Sequence, residues 1–444
     1  MLRADIAIPL LASLSSCLAA CSLQADPGHG HPWEPDPAWG PTRADVQIAP
    51  DAPLRTDSQK VWTPSRGTDC AGRLAASALT RALCVCDDVG LAGRLEADTL
   101  EQTDAGAVGV NGSLSMAGEL RAGTLDVGQS VGLAGNAQLR GDVRIGGTLG
   151  IEGLFQVGRD LWLVGDVDAR QPGTSIVVGR DLHQPAGRAR PRTSVSASIV
   201  EAPFTLVPPC PCDEASIVDV AAIVRQAAAD NDMAALGIAP DALDSIVGRA
   251  RLELPGGRIY FDAIRGAADV ELVARGKTAL FIGGDLTLAG SFVVTLAPDA
   301  ELDVYVGGRV SIAGEIALAP MSRPSASRLW VAGGGEIDLA GSGRFVGNLY
   351  APRAALAAAA DLQIVGSAFV GSVSLAGGLV VRYDGAILHA GDSCDLPAPV
   401  ACTTVRDCAN GLACQNGRCA ACTGDSDCGS PLACNAGTCA AAVF

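Results

Sequence analysis

Regularly spaced cysteines dominate the C-terminal end of the chain. The last 43 residues hold two copies of one unit, in which successive cysteines are separated by five, five and four residues. The eight cysteines are Cys402, Cys408, Cys414, Cys419, Cys422, Cys428, Cys434 and Cys439. Because this segment has almost no aromatic residues with which to build a core, we expect each copy to close two internal disulfides, in one of three connectivities. Zinc binding is the alternative, but the CxxC pair straddles the two copies and no histidine follows it.

Six further cysteines lie in the body of the chain, and four of them form two matching CxC units. The sequences Cys84-Val85-Cys86-Asp87 and Cys210-Pro211-Cys212-Asp213 repeat one pattern, which predicts disulfides between the two units. Cys70 and Cys394 are a further candidate pair. A metal site made by the four CxC cysteines is the alternative, because four thiolates can hold zinc tetrahedrally.

Lipidation is the chemistry expected at Cys21. Residues 1–20 are typical of an export signal, with an apolar stretch too short to span a bilayer. The following pattern, Leu18-Ala19-Ala20-Cys21, resembles the lipobox of bacterial lipoproteins, which implies an acylated Cys21 and a membrane anchor. Acylation there leaves 14 cysteines for disulfides, whereas a second candidate at Cys17 would leave 15. A signal peptide cleaved without lipidation is the alternative.

The residue after the anchor and the disulfides predict where the protein resides. Ser22 follows Cys21, whereas an Asp at that place retains some lipoproteins at the inner membrane. Disulfides persist in oxidising compartments. We therefore expect an outer-membrane lipoprotein of the cell envelope that is exposed at the surface.

Repeated carboxylates are the candidates for catalysis. Arg159-Asp160 and Arg180-Asp181 occupy one repeat position, and Asp285 matches them in the second half of the chain. Clustered carboxylates serve polysaccharide lyases and hydrolases, some of which are β-helices. The preferred interpretation is that all three are polar corner residues. No GxxxxGK[ST] or HExxH motif occurs, and we assign no catalytic residue, no metal and no cofactor.

Composition limits the partners and the core. The net charge is −16, which argues against nucleic-acid binding because phosphates require a basic surface. Aromatic residues make up only 4% of the chain while apolar residues make up 48%, so the core must be packed mainly from small aliphatic side chains.

A nine-residue pattern with two glycine positions recurs along the body of the chain. Its copies start at residues 110, 127, 145, 157, 282 and 306, with shortened copies at 370 and 178. Within each copy the apolar residues alternate, which indicates short strands with one buried face. Such strands cannot bury that face alone, so successive coils must stack. The pattern predicts an all-β, right-handed parallel β-helix, with a β-sandwich as the alternative.

Two segments with helical spacing accompany the predicted strands. Residues 70–84 predict a helix that caps the first open coil, which would hold Cys70 and Cys84 too far apart to pair. Residues 214–250 predict a second helical patch, with a short helix from Pro240 to Val247. The expected order is a signal peptide (1–20), a proline-rich tether (21–66), a helical cap (67–86), a first solenoid block (87–204), a helical insert (205–254), a second block (255–391) and the disulfide repeats (392–444).

Three stretches carry resemblances to known families. Residues 205–390, from Pro208-Pro209-Cys210-Pro211-Cys212 through Gly347-Asn348-Leu349-Tyr350-Ala351-Pro352, resemble an uncharacterised bacterial surface domain. That domain occurs on envelope lipoproteins and on some type IV pilus assembly proteins, and it implies no catalytic residues. The strands at 89–185 resemble bactofilins, which are cytoplasmic filament formers, whereas this chain carries an export signal. The tail resembles small Dickkopf- or EGF-like cysteine-rich repeats.

These observations predict a non-catalytic structural or adhesive lipoprotein that presents a β-solenoid at the cell surface. The expected partners are the membrane, through the lipid anchor, and extracellular polysaccharide, a pilus or envelope proteins. The alternative is a polysaccharide-active β-helix enzyme that uses Asp160, Asp181 and Asp285.

Overall fold

The computed structural model describes most of the body and short parts of the tail. The described residues are 43–45, 58–64, 67–101, 106–169, 173–188, 194–195, 198–339 and 343–392, together with 404–405, 413–415, 418–420, 422, 424–428, 432–435 and 438–441. Among the described residues, no helix is long and apolar enough to cross a membrane.

The body is a parallel β-solenoid of about 13 turns, as the sequence predicts. Every strand pairing within its large sheet is parallel, which rules out the antiparallel layers of a sandwich. The strands of the first block are Leu83–Val85, Val89–Leu91, Leu95–Thr99, Val108–Val110, Leu114–Ala122, Leu125–Val127, Val131–Leu139, Val143–Ile145, Leu149–Glu152, Leu154–Val157, Leu161–Leu163, Val167–Ala169, Ser175–Val178, Asp181–Gln184, Ser194–Val195 and Ser198–Glu201. Those of the second block are Asp244–Leu254, Gly257–Phe261, Ile264–Ala274, Thr278–Ile282, Leu286–Leu288, Phe292–Leu296, Leu302–Val306, Val310–Ile312, Ile316–Ala317, Ser327–Val331, Gly335–Asp338, Arg344–Ala358, Leu362–Leu375 and Leu379–Tyr383.

Apart from strand Arg43–Asp45, which extends the large sheet, the remaining elements lie outside the coils. The helices are α1 (Ala71–Ala78), α2 (Val220–Ala229) and α3 (Met233–Leu236), with 3-10 turns at Pro324–Ala326, Gly385–His389 and Asp425–Asp427. Strand Arg43–Asp45 pairs with the first strand of the second block, and Lys60–Thr63 forms a hairpin with Gly67–Cys70. The tail contains the hairpins Ala413–Gln415 with Arg418–Ala420 and Leu432–Asn435 with Thr438–Ala441.

The order of coils in the stack differs from their order along the chain. The last coil of the second block pairs with the first coil of the first block, through Ala368 with Leu83 and Leu379 with Leu95. The two blocks therefore form one continuous stack. Strand Arg43–Asp45 lies at the outer end of the second block, and the chain begins its first full coil near the middle, at Leu83. From Leu83 the chain winds outward to Ser198–Glu201, returns along the outside, and fills the other half from Asp244 back to the junction.

Ion pairs and backbone contacts reinforce this junction. The Arg382 guanidinium, in the last coil of the second block, lies 2.7 Å from the carboxylates of both Glu96 and Asp98 in the first block. The Tyr383 hydroxyl donates to the carbonyl of Leu79 at 3.1 Å. The junction is thus held by side chains as well as by the parallel ladder.

The helical expectations need three corrections. Helix α1 ends at Ala78 rather than at residue 84, and Cys84 lies on a strand. The first coil is not an open end, because it lies between Leu362–Leu375 and Val108–Val110, so α1 does not cap it. The helix expected from Pro240 to Val247 is absent from the described residues: the chain turns and then enters strand Asp244–Leu254.

Glycine allows neighbouring coils to come into close contact at one corner of the repeat. Gly135 pairs in register with Gly118, and Gly153 follows Glu152, the partner of Ala134, in the next coil. All three have φ between +142° and +150°. A Cβ atom on Gly135 would lie 1.9 Å from the carbonyl oxygen of Gly118. In these three copies the last glycine is therefore required both for its positive φ and for the space that it leaves.

The irregular spacing of the sequence repeat arises because similar copies occupy two different corners. Strand Leu161–Leu163, which lies within the copy at residue 157, stacks through successive coils on the face that contains Thr278–Ile282. The copy at 282 instead starts at the last residue of strand Thr278–Ile282, and its own strand, Leu286–Leu288, belongs to the next face. The copies at 157 and 178 thus belong to one corner, and those at 110, 127, 145, 282 and 306 to the next.

Candidate functional site

A single segment covers one outer face of the solenoid, and we name residues 205–229 the strap. Near its start it is fixed to the first block by Asn111, whose side chain donates to the Cys210 carbonyl at 2.9 Å and accepts from the Cys210 N–H at 2.8 Å. Further along, the Val218 N–H donates to the Tyr350 hydroxyl at 2.8 Å. Helix α2 then packs on the second block, over Thr278–Ile282 and Leu302–Val306.

Two disulfides join the strap to the stack beside the junction of the two blocks. They link Cys84 with Cys210 and Cys86 with Cys212, with Cα atoms 5.8 Å and 5.6 Å apart. This is the pairing between CxC units that the sequence predicts, and it leaves none of the four thiols for a metal. Because the two cysteines are two residues apart in each unit, both disulfides can form between the strap and a single coil.

The other candidate cysteines are partly described. Cys70 and Cys414 are disulfide-bonded, and the sequence-predicted partner Cys394 lies outside the described residues. In the second tail copy the first cysteine pairs with the third, Cys422 with Cys434, and the second with the fourth, Cys428 with Cys439. The residues Cys21, Cys402 and Cys408 also lie outside the described residues, and Cys419 is described only as part of a strand.

Beneath the strap, outward aromatic side chains form a column across successive coils. Phe281, Tyr305, Trp330, Tyr350 and Phe369 lie with neighbouring ring centroids 5.0 to 5.7 Å apart. The register continues the column directly into Cys84 of the first block. Five of the 17 aromatic residues of the chain thus lie between the strap and the coils, where stacking adds to the area that they bury.

A buried ionic cluster lies beside this column. Arg328, only 1% exposed, makes a two-pronged contact with the Asp303 carboxylate at 2.6 and 2.7 Å. Its third contact is Glu301 at 3.0 Å, and Glu301 also pairs with Lys277 at 3.3 Å. The Trp330 indole N–H donates to Asp303 at 3.0 Å. The cluster joins three coils, since Lys277, Asp303 and Arg328 come from successive turns.

The charges within the cluster stabilise one another. Burial alone would lower the pKa of Arg328, but the carboxylates of Asp303 and Glu301 outweigh it and raise that pKa above its ordinary value. Burial likewise works to raise the pKa of Glu301, and the charges of Arg328 and Lys277 more than offset it, so that pKa is lowered. The arrangement therefore favours the charged forms of Arg328 and Glu301.

All four tyrosines of the chain have raised pKa values, which gives a direct test of the covered face. Burial raises the pKa of Tyr350 and of Tyr383 to about 12, raises that of Tyr305 well above its ordinary value, and raises that of Tyr260. We expect the native protein to show little tyrosinate absorbance near pH 10, where the unfolded chain is half ionised. The protonated forms stabilise the fold below about pH 10, and this stabilisation is lost as the pH rises through about 12.

The measurement is an ultraviolet pH titration of native and denaturant-unfolded protein, recorded with the free energy of unfolding. Tyr350→Phe removes one ionising group and leaves the Val218 N–H without its acceptor, so it should lose one late-titrating tyrosine and about 1 kcal/mol. Four tyrosines that titrate together near pH 10 in native protein would contradict the buried aromatic column.

The corner carboxylates take part in stacking the coils. Asp160 accepts the backbone N–H of Asp181 at 3.0 Å, and Asp285 accepts that of Arg309 at 2.9 Å. The same contact, from a side-chain oxygen to the N–H of the next coil, recurs between Asp88 and Ser113, Ser130 and Thr148, Asn136 and Leu154, Asp269 and Ser291, and Asp361 and Gly378. These polar residues thus satisfy backbone donors where the chain turns between faces.

One sequence expectation about these carboxylates is wrong. Asp285 does not occupy the repeat position of Asp160 and Asp181, because it follows the face that Asp160 precedes. Asp160 and Asp181 do lie on neighbouring coils, as expected. The similar local sequences conceal the difference, since both corners use Gly followed by a polar residue.

A histidine joins the two stacked carboxylates. Ligand atoms of Asp160, Asp181 and His183 all lie within 4.8 Å of one another, and all three residues are partly exposed. The His183 ring stacks on Trp162 with centroids 4.8 Å apart and planes 7° apart. The opposite side of Trp162 faces the guanidinium of Arg144, 4.9 Å from the ring centroid.

Sequence reasoning missed the strap, the aromatic column and the ionic cluster. Asp303 and Arg328 are 25 residues apart and meet only because their coils are in register. The sequence holds one signal: Tyr305 and Trp330 are 25 residues apart, as Asp303 and Arg328 are, and each aromatic residue lies two residues beyond one member of the charged pair. The spacing becomes informative only when the length of that coil is known.

Comparison with known proteins concerns the strap and the second block. Residues 213–389 match the model of a family described as a domain of unknown function (DUF7305). No curated protein and no solved structure matches the chain. The match begins just after Cys212 and ends just beyond Tyr383, so it covers the half of the stack that α2 packs against and excludes the first block.

Proposed function

We propose that the protein is a non-catalytic structural or adhesive lipoprotein, anchored in the cell envelope and displaying its solenoid at the surface. The observation that carries the proposal is that charged side chains and cysteines of the body link neighbouring coils or segments to one another. The Asp303–Arg328 contact, the corner carboxylate of Asp160 and the disulfides at Cys84 and Cys86 all link one turn or segment to another. Such a rod resists unfolding while it presents a long surface.

The envelope location is supported by the cysteines. The disulfides of the body and tail suit an oxidising compartment. The sequence before Cys21 has the lipobox pattern, and an acylated N-terminal cysteine gives stable attachment because it carries more than one chain. The partners in this proposal are extracellular polysaccharide, a pilus or other envelope proteins, in keeping with the resemblance of residues 205–390.

Membrane fractionation and surface protease treatment test the anchor. Unmodified protein is expected in the outer-membrane fraction and to be cut by protease added to whole cells. Cys21→Ala should move the protein to the soluble envelope fraction, because the acyl chains are lost. Cys17→Ala is the matched control and should leave the protein in the membrane fraction. Equal membrane retention of the Cys21→Ala variant, or full protection from protease in intact cells, would overturn the proposed location.

The cluster of Asp160, Asp181 and His183 favours a second function, a polysaccharide-active enzyme. Two carboxylates on neighbouring coils meet the basic requirement for acid–base hydrolysis. A screen of polysaccharides for turnover separates the two functions. Turnover that Asp160→Asn abolishes, while its circular dichroism and melting temperature are unchanged, would replace the structural proposal with the enzymatic one. Asp285→Asn is the control, since Asp285 lies at a different corner.

A further inference from the structure

We propose that Asp160, Asp181 and His183 form a binding site for a divalent transition-metal ion of the Zn²⁺ type. The three residues supply two carboxylate groups and one imidazole, and their ligand atoms lie within 4.8 Å of one another. They come from two neighbouring coils, with Trp162 of one directly under His183 of the other. The inference concerns the outer coils of the first block, where Ser198–Glu201 pairs beyond Asp181–Gln184, and does not depend on the proposed function.

The geometry leaves these ligand atoms available. The His183 Nε2 lies 4.0 Å from the nearer Asp160 oxygen, which is too long for a hydrogen bond. Asp160 uses one oxygen for the Asp181 N–H, so its second oxygen remains available. The Asp181 carboxylate makes no hydrogen bond or ion pair with any described residue. Two ligands of a tetrahedral zinc ion are about 3.4 Å apart, so binding requires an inward shift of about 1 Å.

The surroundings favour a cation at this place. Arg144, the positive charge on the far side of Trp162, is already paired with Asp126 at 3.1 Å and with Asp142 at 3.7 Å. Arg159 and Arg180, each next in sequence to one of the carboxylates, are exposed and form no ion pair with either carboxylate within the described part of the chain. The pair of carboxylates therefore repel each other without a protein cation between them, and a bound metal ion removes that repulsion.

The mixed ligand set selects the class of ion. Calcium and magnesium prefer oxygen ligands alone, and soft ions prefer sulfur. Two carboxylates with one imidazole suit zinc and neighbouring first-row ions. The stack on Trp162 holds the His183 ring in one orientation, so less side-chain conformational entropy is lost when an ion binds. Three protein ligands also leave a position on the ion open to an external carboxylate or hydroxyl group.

The test is a calorimetric titration of the purified full-length protein with Zn²⁺ under non-reducing conditions, so that its disulfides remain closed. The chain has four histidines, and His29 and His31 form a second potential ligand pair, so all measurements use a His29→Asn/His31→Asn background. The expected result is one equivalent of bound zinc. His183→Ala and Asp181→Asn should each weaken binding at least tenfold.

Asp285→Asn is the matched control, because Asp285 also accepts a backbone N–H at a corner but has Thr287 where Asp181 has His183. It should bind zinc with unchanged affinity. X-ray absorption of the zinc complex should show one nitrogen-type imidazole and protein oxygen ligands without sulfur, and this readout does not depend on whether a variant folds. Absence of zinc binding, binding unchanged by both site variants, or a sulfur ligand would overturn the proposal.

Discussion

Replacing Arg328 with methionine is expected to lower the free energy of unfolding by about 3–5 kcal/mol. The substitution leaves the Asp303 carboxylate, which is 2% exposed, without its two-pronged partner. Glu301 keeps Lys277, so the main loss is the uncompensated charge at Asp303. Equilibrium denaturant unfolding, followed by circular dichroism, measures the change.

The control is an arginine on the surface of the same solenoid. Arg251 pairs with Glu271 at 2.9 Å, but its side chain is 44% exposed, so Arg251→Met should cost no more than about 1 kcal/mol. The double variant Asp303→Leu/Arg328→Met should recover part of the loss, because no buried charge then lacks a partner. A loss below about 1 kcal/mol for the Arg328 substitution would show that the ionic cluster is not buried as described.

Removing both strap disulfides is expected to destabilise the solenoid by about 5 kcal/mol, whereas removing either one should cost much less. Each disulfide closes a loop of the same length, 126 residues in sequence separation. Because the remaining bond still closes that loop, the first removal changes the entropy of the unfolded chain little, and the second opens it completely. The variants are Cys84→Ser/Cys210→Ser, Cys86→Ser/Cys212→Ser and their combination.

Thermal unfolding by calorimetry compares these variants with a matched pair in the tail. Cys422→Ser/Cys434→Ser removes a disulfide that spans only 12 residues of the tail, and it should leave the solenoid transition unchanged. Equal and additive losses from the two strap disulfides would contradict the shared loop. Unchanged unfolding after removal of both would show that the strap does not brace the coils.

The coil architecture could be predicted from the sequence, but the order of the coils could not. Alternating apolar residues and recurrent glycines are enough to indicate stacked parallel strands, since both are local consequences of a buried face and a tight corner. The junction between Leu362–Leu375 and Leu83–Val85 uses the same residue types as every other pair of coils. A uniform pattern therefore carries no local sign of which coil lies next to which.

The sequence predicts one helix too long, over residues 70–84, and another, from Pro240 to Val247, where a turn and a strand form instead, for a related reason. The apolar spacing at residues 70–84 fits a helix, yet Leu83–Val85 becomes a strand because coils on both sides offer it a parallel partner. The same applies to Asp244–Leu254, which pairs with Ile264–Ala274 along most of its length. In both segments the ladder contributes more than the local helical preference.

Some features of the candidate site could be predicted from the sequence, and others could not. The CxC pairing and the neighbouring positions of Asp160 and Asp181 could be inferred, because identical short patterns occupy equivalent places. The proximity of His183 was also accessible, two residues beyond Asp181 on the same strand. The buried contact of Asp303 with Arg328 depends on one coil of 25 residues, which the glycine pattern does not specify.

The position of the junction is tested most directly by the distance between Ser374 and Ser115. Both are exposed, and the register places them two coils apart with Gly90 between them, or about 10 Å at the usual strand spacing. Spin labels on a Ser374→Cys/Ser115→Cys variant, compared with the two single variants, should show strong dipolar broadening in electron paramagnetic resonance. Coils stacked in chain order would instead separate the labels by about 50 Å, and a spectrum without broadening would contradict the continuous stack.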